Sequence, residues 1–149
     1  MVGGYAGRIL KVDLTTRRIE KKRLDLGIAR KFMGGRGLAG WFLWKMTDEK
    51  TDPLGPRNPL IFMTGPLTGI PATRVVAVAK SPINGLFGNS NAGGPFGPEI
   101  KFAGYDGIIF SGKSDNPVYL YVRDDEVEIR DAHHLLGMDT WETEERIKE

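Results

Sequence analysis

Between Gly7 and Leu14 the apolar residues Ile9, Val12 and Leu14 are interrupted by Arg8, Lys11 and Asp13, an alternation that predicts a strand. Thr15-Thr16 then turns the chain into a second extended run from Arg18 to Leu24, so the first elements read as a hairpin. From Leu26 to Met33 the spacing of Leu26, Ile28, Ala29, Phe32 and Met33 changes to that of a short helix, which Gly34-Gly35 is expected to end through a left-handed cap. A second helix is predicted from Leu38 to Met46, where Leu38, Trp41, Phe42 and Trp44 form an apolar surface that reads as buried packing.

Asp52 to Pro59, with three prolines, reads as a connector; Leu60 to Thr64 and Arg74 to Ala79 read as strands. Glu99 to Ala103 has room for one helical turn before Gly104. Ile108 to Ser111, Val118 to Val122 and Glu126 to Ile129 read as a three-stranded meander, with Asp115-Asn116 and Asp124-Asp125 as turns. Asp139, followed three residues later by Glu142, predicts a capped helix still running at Glu149, and the natural protein is expected to continue.

Strands and helices in this order make a loop-rich α+β domain, and 149 residues suit a single unit. Twenty glycines and nine prolines account for the many turns. No apolar run approaches the length that spans a bilayer and no signal-peptide core opens the chain, so no membrane partner and a cytoplasmic location are expected. The absence of cysteine excludes disulfides, thiolate nucleophiles and thiolate ligands for zinc or iron–sulfur clusters within these residues.

A net charge of +2 conceals an asymmetry: residues 1–80 carry fifteen Lys and Arg against six acids, and residues 123–149 carry four against ten. The basic part is the better side for an anionic partner. Nucleic acid is not the expected one, because the aromatic residues there read as core and no recognition helix is apparent.

The richest chemical signal is Ser81 to Pro98, eighteen residues with five glycines, three asparagines and three prolines. It is read as a loop, either a solvated turn or one that wraps a polar or anionic ligand with its own backbone. Asn91-Ala92-Gly93-Gly94 offers N–H groups to phosphate or a carbonyl to a hard cation such as Mg²⁺. Arg74, opening a strand beside this loop, is either an ordinary surface arginine or a two-pronged donor to phosphate.

Gly34-Gly35-Arg36-Gly37 lies between two helices and so is not a dinucleotide fingerprint; it is either a helix–helix corner or a loop presenting Arg36. His133-His134 make a poor metal pair, because adjacent side chains diverge. No Ser–His–acid set or paired carboxylates stand at a diagnostic spacing, and no residue is assigned a catalytic role.

Taken in order, several motifs resemble the N-terminal domain of the tungsten-containing aldehyde ferredoxin oxidoreductase family. They are the run Gly7 to Thr16, Gly34-Gly35-Arg36-Gly37-Leu38-Ala39, Gly65-Pro66-Leu67-Thr68-Gly69, Lys80-Ser81-Pro82, Asn91 to Gly97 and Lys101 to Asp106. Pro117 to Val122 continues the likeness, which covers nearly the whole chain. The chain departs from the family pattern just before Arg74, where Ile70 to Thr73 is shorter and lacks a pair of glycines.

The resemblance implies two β-sheets with a few short helices, forming a base for a tungsten bis-pterin cofactor. It implies that Arg74 and Gly93 contact the pterins, and that the backbone carbonyl of Asn91 helps hold a Mg²⁺ bridging their phosphates. It further implies oxidation of an aldehyde to a carboxylate in the complete enzyme, with electrons leaving through a 4Fe–4S cluster to ferredoxin.

The cluster cysteines and proton-transfer residues belong to later domains. Residues 1–149 are therefore expected to be an N-terminal cofactor-cradling fragment of a multidomain enzyme, partnered by its remaining domains and inactive alone. The alternative is a freestanding module that binds phosphate, a pterin or a nucleotide without redox activity.

Overall fold

The computed structural model describes residues 3–70 and 72–148. Its core is a six-stranded sheet in the order β2-β1-β6-β3-β4-β5, built from β1 (Arg8–Asp13), β2 (Arg18–Arg23), β3 (Leu60–Thr64), β4 (Val75–Lys80), β5 (Phe87–Ala92) and β6 (Gly107–Ser111). Only β1 and β6 run parallel; every other neighbouring pair is antiparallel. The predicted N-terminal hairpin is β1–β2, with Leu10 opposite Lys21 and Val12 opposite Ile19.

Central strands alternate between two buried faces, as period-two geometry requires. Ile9, Ile61, Met63, Val76, Val78 and Ile109 enter one core with α1 (Leu26–Phe32) and α2 (Gly35–Met46). Leu10, Val12, Val75 and Ile108 enter the other, with Ile100 of α3 (Phe96–Phe102) and the inner residues of a second, two-stranded sheet, β7 (Val118–Arg123) and β8 (Glu126–Asp131). Phe62 sits edge-on to Phe96 at 5.5 Å and to Phe110 at 6.2 Å, stitching α3 to the sheet. The expected α+β domain with two sheets is thus observed.

Four local expectations are corrected. The run Ser81 to Pro98 is not one loop, because Phe87–Ala92 forms β5, paired along its length with β4. A strand this polar survives because it is a sheet edge with most of its side chains in solvent. The meander is also divided, since β6 is buried between β1 and β3, and only β7 and β8 make the separate hairpin.

At the helix corner α1 stops at Phe32, and positive φ begins one residue earlier than the expected Gly34-Gly35, running through Met33 (66°), Gly34 (137°) and Gly35 (48°). α2 then starts at Gly35, three residues before the expected Leu38. Trp44, expected in the core, is 81% exposed, because α2 buries Leu38, Ala39 and Leu43 instead. The C-terminal helix α4 (Thr140–Lys148) has the expected cap: Asp139 accepts from the N–H groups of Trp141 and Glu142, and Glu142 accepts in return from the Asp139 N–H. Among the described residues no helix is long and apolar enough to cross a membrane.

Candidate functional site

The end of the central sheet marked by Thr64, Val75 and Ala92 gathers the glycine-rich segments. In the last two β4–β5 pairs Val76 faces Asn91 and Val75 faces Ala92, so Arg74 and Gly93 are the residues immediately beyond the paired ends of the two strands. Facing residues of such pairs lie about 5 Å apart and diagonal neighbours about 7–8 Å, which places Arg74, Asn91 and Gly93 on one patch. A Cβ on Gly93 would come 3.8 Å from Thr73 Oγ1, confirming how closely the two strand ends approach.

Arg74 lies just before β4 rather than inside it, and its side chain is exposed. Its backbone is held by two contacts. Thr68, itself only 6% exposed, donates from its hydroxyl to the Arg74 carbonyl at 3.1 Å. In addition, α3 approaches so closely that a Cβ on Gly97 would lie 2.8 Å from the Thr73 carbonyl oxygen and 3.3 Å from that of Arg74. Glycine is what allows this approach. Among the described residues the Arg74 guanidinium has neither hydrogen bond nor ion pair, so five donors stand on a fixed base without an acceptor.

The start of α2 closes the same end. A Cβ on Gly34 would meet Gly65 Cα at 2.9 Å and the Thr64 carbonyl oxygen at 3.0 Å, and one on Gly35 would touch Val76 at 3.5 Å. No side chain caps this helix, and Arg36 in its first turn is exposed. The Tyr5 hydroxyl fixes the preceding corner by donating to the carbonyls of Met33 at 2.7 Å and Ala29 at 3.2 Å. Burial, reinforced by the nearby Asp106 carboxylate, raises the Tyr5 pKa, which keeps that donor in place.

The motif Lys101 to Asp106 does something different. The Lys101 ammonium is buried against the Asp106 carboxylate and donates to the Gly4 carbonyl at 2.7 Å. Asp106 also accepts from the N–H groups of Ala6 at 3.0 Å and Gly7 at 2.6 Å. This clasp ties the N-terminal segment to the fold, and all its groups are satisfied internally. A largely apolar cleft of about 550 Å³, lined by Phe62, Phe96, Tyr105, Phe110 and Leu120, lies between α3, the sheet and β7–β8; neither Arg74, Asn91 nor Gly93 lines it.

His133 donates from its backbone to Asp131 and contacts the same carboxylate through Nδ1 at 2.6 Å. The histidine pair lies on a short 3₁₀ turn after β8, His133 bound to Asp131 and the His134 ring edge-on to Tyr119 at 6.3 Å. Sequence reasoning singled out Arg74, Asn91 and Gly93 and passed over Thr68 and Gly97. A threonine inside Gly65-Pro66-Leu67-Thr68-Gly69 is the signal that was available, since a hydroxyl in a tight turn commonly bonds neighbouring backbone.

Residues 9–149 match the family model described as aldehyde ferredoxin oxidoreductase, N-terminal domain. The chain is 48% identical to a tungsten-containing aldehyde ferredoxin oxidoreductase of Pyrococcus abyssi, over 98% of this chain and 24% of that protein. It is 48% identical to an aliphatic sulfonate oxidoreductase, WOR-like subunit, of Pyrococcus furiosus, over 90% of this chain and 22% of that protein. Among solved structures, the active site complex BamBC of benzoyl coenzyme A reductase in complex with 1,5-dienoyl-CoA superposes with a TM-score of 0.94 at 44% identity, covering 97% of this chain and 23% of that one. The chain thus spans about a quarter of the length of the relatives it matches.

Proposed function

The chain belongs to the aldehyde ferredoxin oxidoreductase family, through its N-terminal domain, and on that premise we propose that residues 1–149 are the cofactor-cradling part of a longer tungsten–pterin oxidoreductase. The observation that carries this reading is the meeting of Arg74, Asn91 and Gly93 at one end of β4–β5. The names of the relatives support tungsten as the metal, and their fourfold greater length favours an enzyme part over a freestanding binding module.

The residues fit the group. A phosphorylated pterin needs a guanidinium with idle donors, and Arg74 has one. A cation bridging phosphates needs backbone oxygens at an open edge, and Asn91 sits on the edge strand β5. Close approach needs missing Cβ atoms, and even a Cβ placed on Gly94, at φ 91°, would meet no atom within 4 Å, so the main chain there stands open. When bound, a tungsten centre would supply two-electron oxidation of an aldehyde to a carboxylate, and a 4Fe–4S cluster of the later domains and ferredoxin would be its electron acceptors.

The chain's own part is positional. Arg74 neutralises phosphate and fixes its orientation, Gly93 lets the ligand reach the main chain, and the Asn91 carbonyl contributes to a Mg²⁺ site. None of these residues transfers a proton or an electron in this reading.

The test is Arg74→Ala in the full-length protein, with tungsten and pterin measured per mole of folded enzyme. Both are expected to fall together. Unchanged tungsten and pterin would remove Arg74 from the site.

A further inference from the structure

We propose that Thr68 is a positioning residue for Arg74, an inference that rests on the cofactor reading above and adds a residue to it. The Thr68 hydroxyl is used in both directions: it accepts from the Gly65 N–H at 3.1 Å and donates its single proton to the Arg74 carbonyl at 3.1 Å. The turn around it is closed by backbone bonds from Thr68 N–H to Gly65 carbonyl at 3.2 Å, from Ala72 N–H to Leu67 carbonyl at 3.2 Å and from Gly69 N–H to Ala72 carbonyl at 2.9 Å. One hydroxyl therefore joins the end of β3 to the residue that enters β4.

The arrangement separates backbone from side chain. The same Arg74 carbonyl that Thr68 holds is also approached by α3, admitted by Gly97, so that peptide has little room to rotate. The guanidinium beyond it has no partner among the described residues. A long arginine on a mobile backbone would pay for ordering both main chain and side chain when it meets an anion; here the main-chain part of that ordering is already done. Thr68 acts on the ligand only through Arg74 and touches no cofactor itself.

The experiment uses the full-length protein and four variants: Thr68→Val, which keeps the shape and drops the hydroxyl; Thr68→Ala, which drops it without adding a methyl contact; Thr68→Ser, which keeps it; and Thr68→Val combined with Arg74→Ala. Tungsten and pterin per mole of folded protein are read together with the thermal midpoint of the metal-free form. Thr68→Val is expected to lower retained cofactor about twofold to tenfold, the worth of one neutral hydrogen bond. Thr68→Ser is expected to restore it, and adding Thr68→Val to Arg74→Ala is expected to cause no further loss.

An equal loss from Thr68→Val in both backgrounds would overturn the proposal by making the effect independent of Arg74. Failure of both Thr68→Val and Thr68→Ala to fold would overturn it by assigning Thr68 to the fold alone. Full cofactor in Thr68→Val, with loss in Arg74→Ala, would overturn it while leaving the site standing. No loss in Arg74→Ala would instead remove the site reading itself.

Discussion

Strand β4 has a cation at each end, and the fold treats the two in opposite ways. At its C-terminal end the Lys80 ammonium donates to the carbonyls of Asp48, Glu49 and Thr51 at 2.8–3.0 Å, while Asn58 pairs with the Lys80 backbone in both directions. Just before its N-terminal end Arg74 has a backbone held by Thr68 and a guanidinium held by nothing among the described residues. A cation whose donors are consumed by the chain's own carbonyls closes a connector. One with idle donors on a rigid base is prepared for an acceptor from outside. Lys101, buried against Asp106, is the closed case carried to its limit.

The comparison predicts that stability and cofactor retention respond to different cations. The largest effect on stability is expected at the clasp: Asp106→Ala leaves the Lys101 ammonium buried without its carboxylate and strips Ala6 and Gly7 of their acceptor. A loss of about 3–5 kcal/mol in denaturant unfolding is expected. A loss below about 1 kcal/mol, the worth of an exposed pair, would break the contrast by showing that the clasp is not closed.

Lys80→Met comes next, at about 1.5–3 kcal/mol for hydrogen bonds made by a charged group, and toward the low end because two of the three carbonyls lie near solvent. Unfolding midpoints of the full-length variant check it. Arg74→Ala is expected to change the stability of the metal-free form by no more than about 0.5 kcal/mol, as exposed substitutions do, while lowering tungsten and pterin in the loaded protein. A large loss of stability in metal-free Arg74→Ala would erase the difference between the two ends of β4.

How much of this was legible in the sequence follows the same division. The central strands and the capped last helix were readable because alternation and capping are local signals. The partition of β6 from β7–β8 was not, since turn residues after Ser111 look alike whether the next strand joins the same sheet or leaves it. β5 was hidden because Gly88, Asn89 and Asn91 have low strand propensity, and only pairing with β4 overrides that. Arg74, Asn91 and Gly93 were singled out by the family resemblance, residue type alone leaving Arg74 an ordinary surface arginine, but their meeting is a fact of register across the hairpin. Thr68 and Gly97 act through backbone contacts, which residue type alone leaves unseen.

The smallest effect is expected where a cation is only half closed. Arg8 donates to Asp125 at 2.6 Å while lying 4.9 Å over the Tyr105 ring, and Lys21 stands 3.7 Å from the same carboxylate, so the β7–β8 turn docks onto β1 and β2 through an exposed charge. The hydrogen bond from Arg8, with the charges of Arg8 and Lys21, holds the Asp125 carboxyl below its ordinary range. A depressed folded-state pKa means that the charged form favours docking: the contribution is complete above the unfolded carboxyl value of about 3.9 and is lost as pH falls through the lower folded value. Hydrogen exchange of β7 and β8 amides is therefore expected to show weaker protection of the hairpin on acidification, and also in high salt, while Asp125→Asn has the weaker protection at every pH. The contact is solvated, so salt reaches it; the Lys101–Asp106 clasp, sealed from water, should ignore the same salt. Equal salt sensitivity at both places would mean that burial does not separate them, and the distinction between closed and open cations on which Arg74 stands would lose its physical basis.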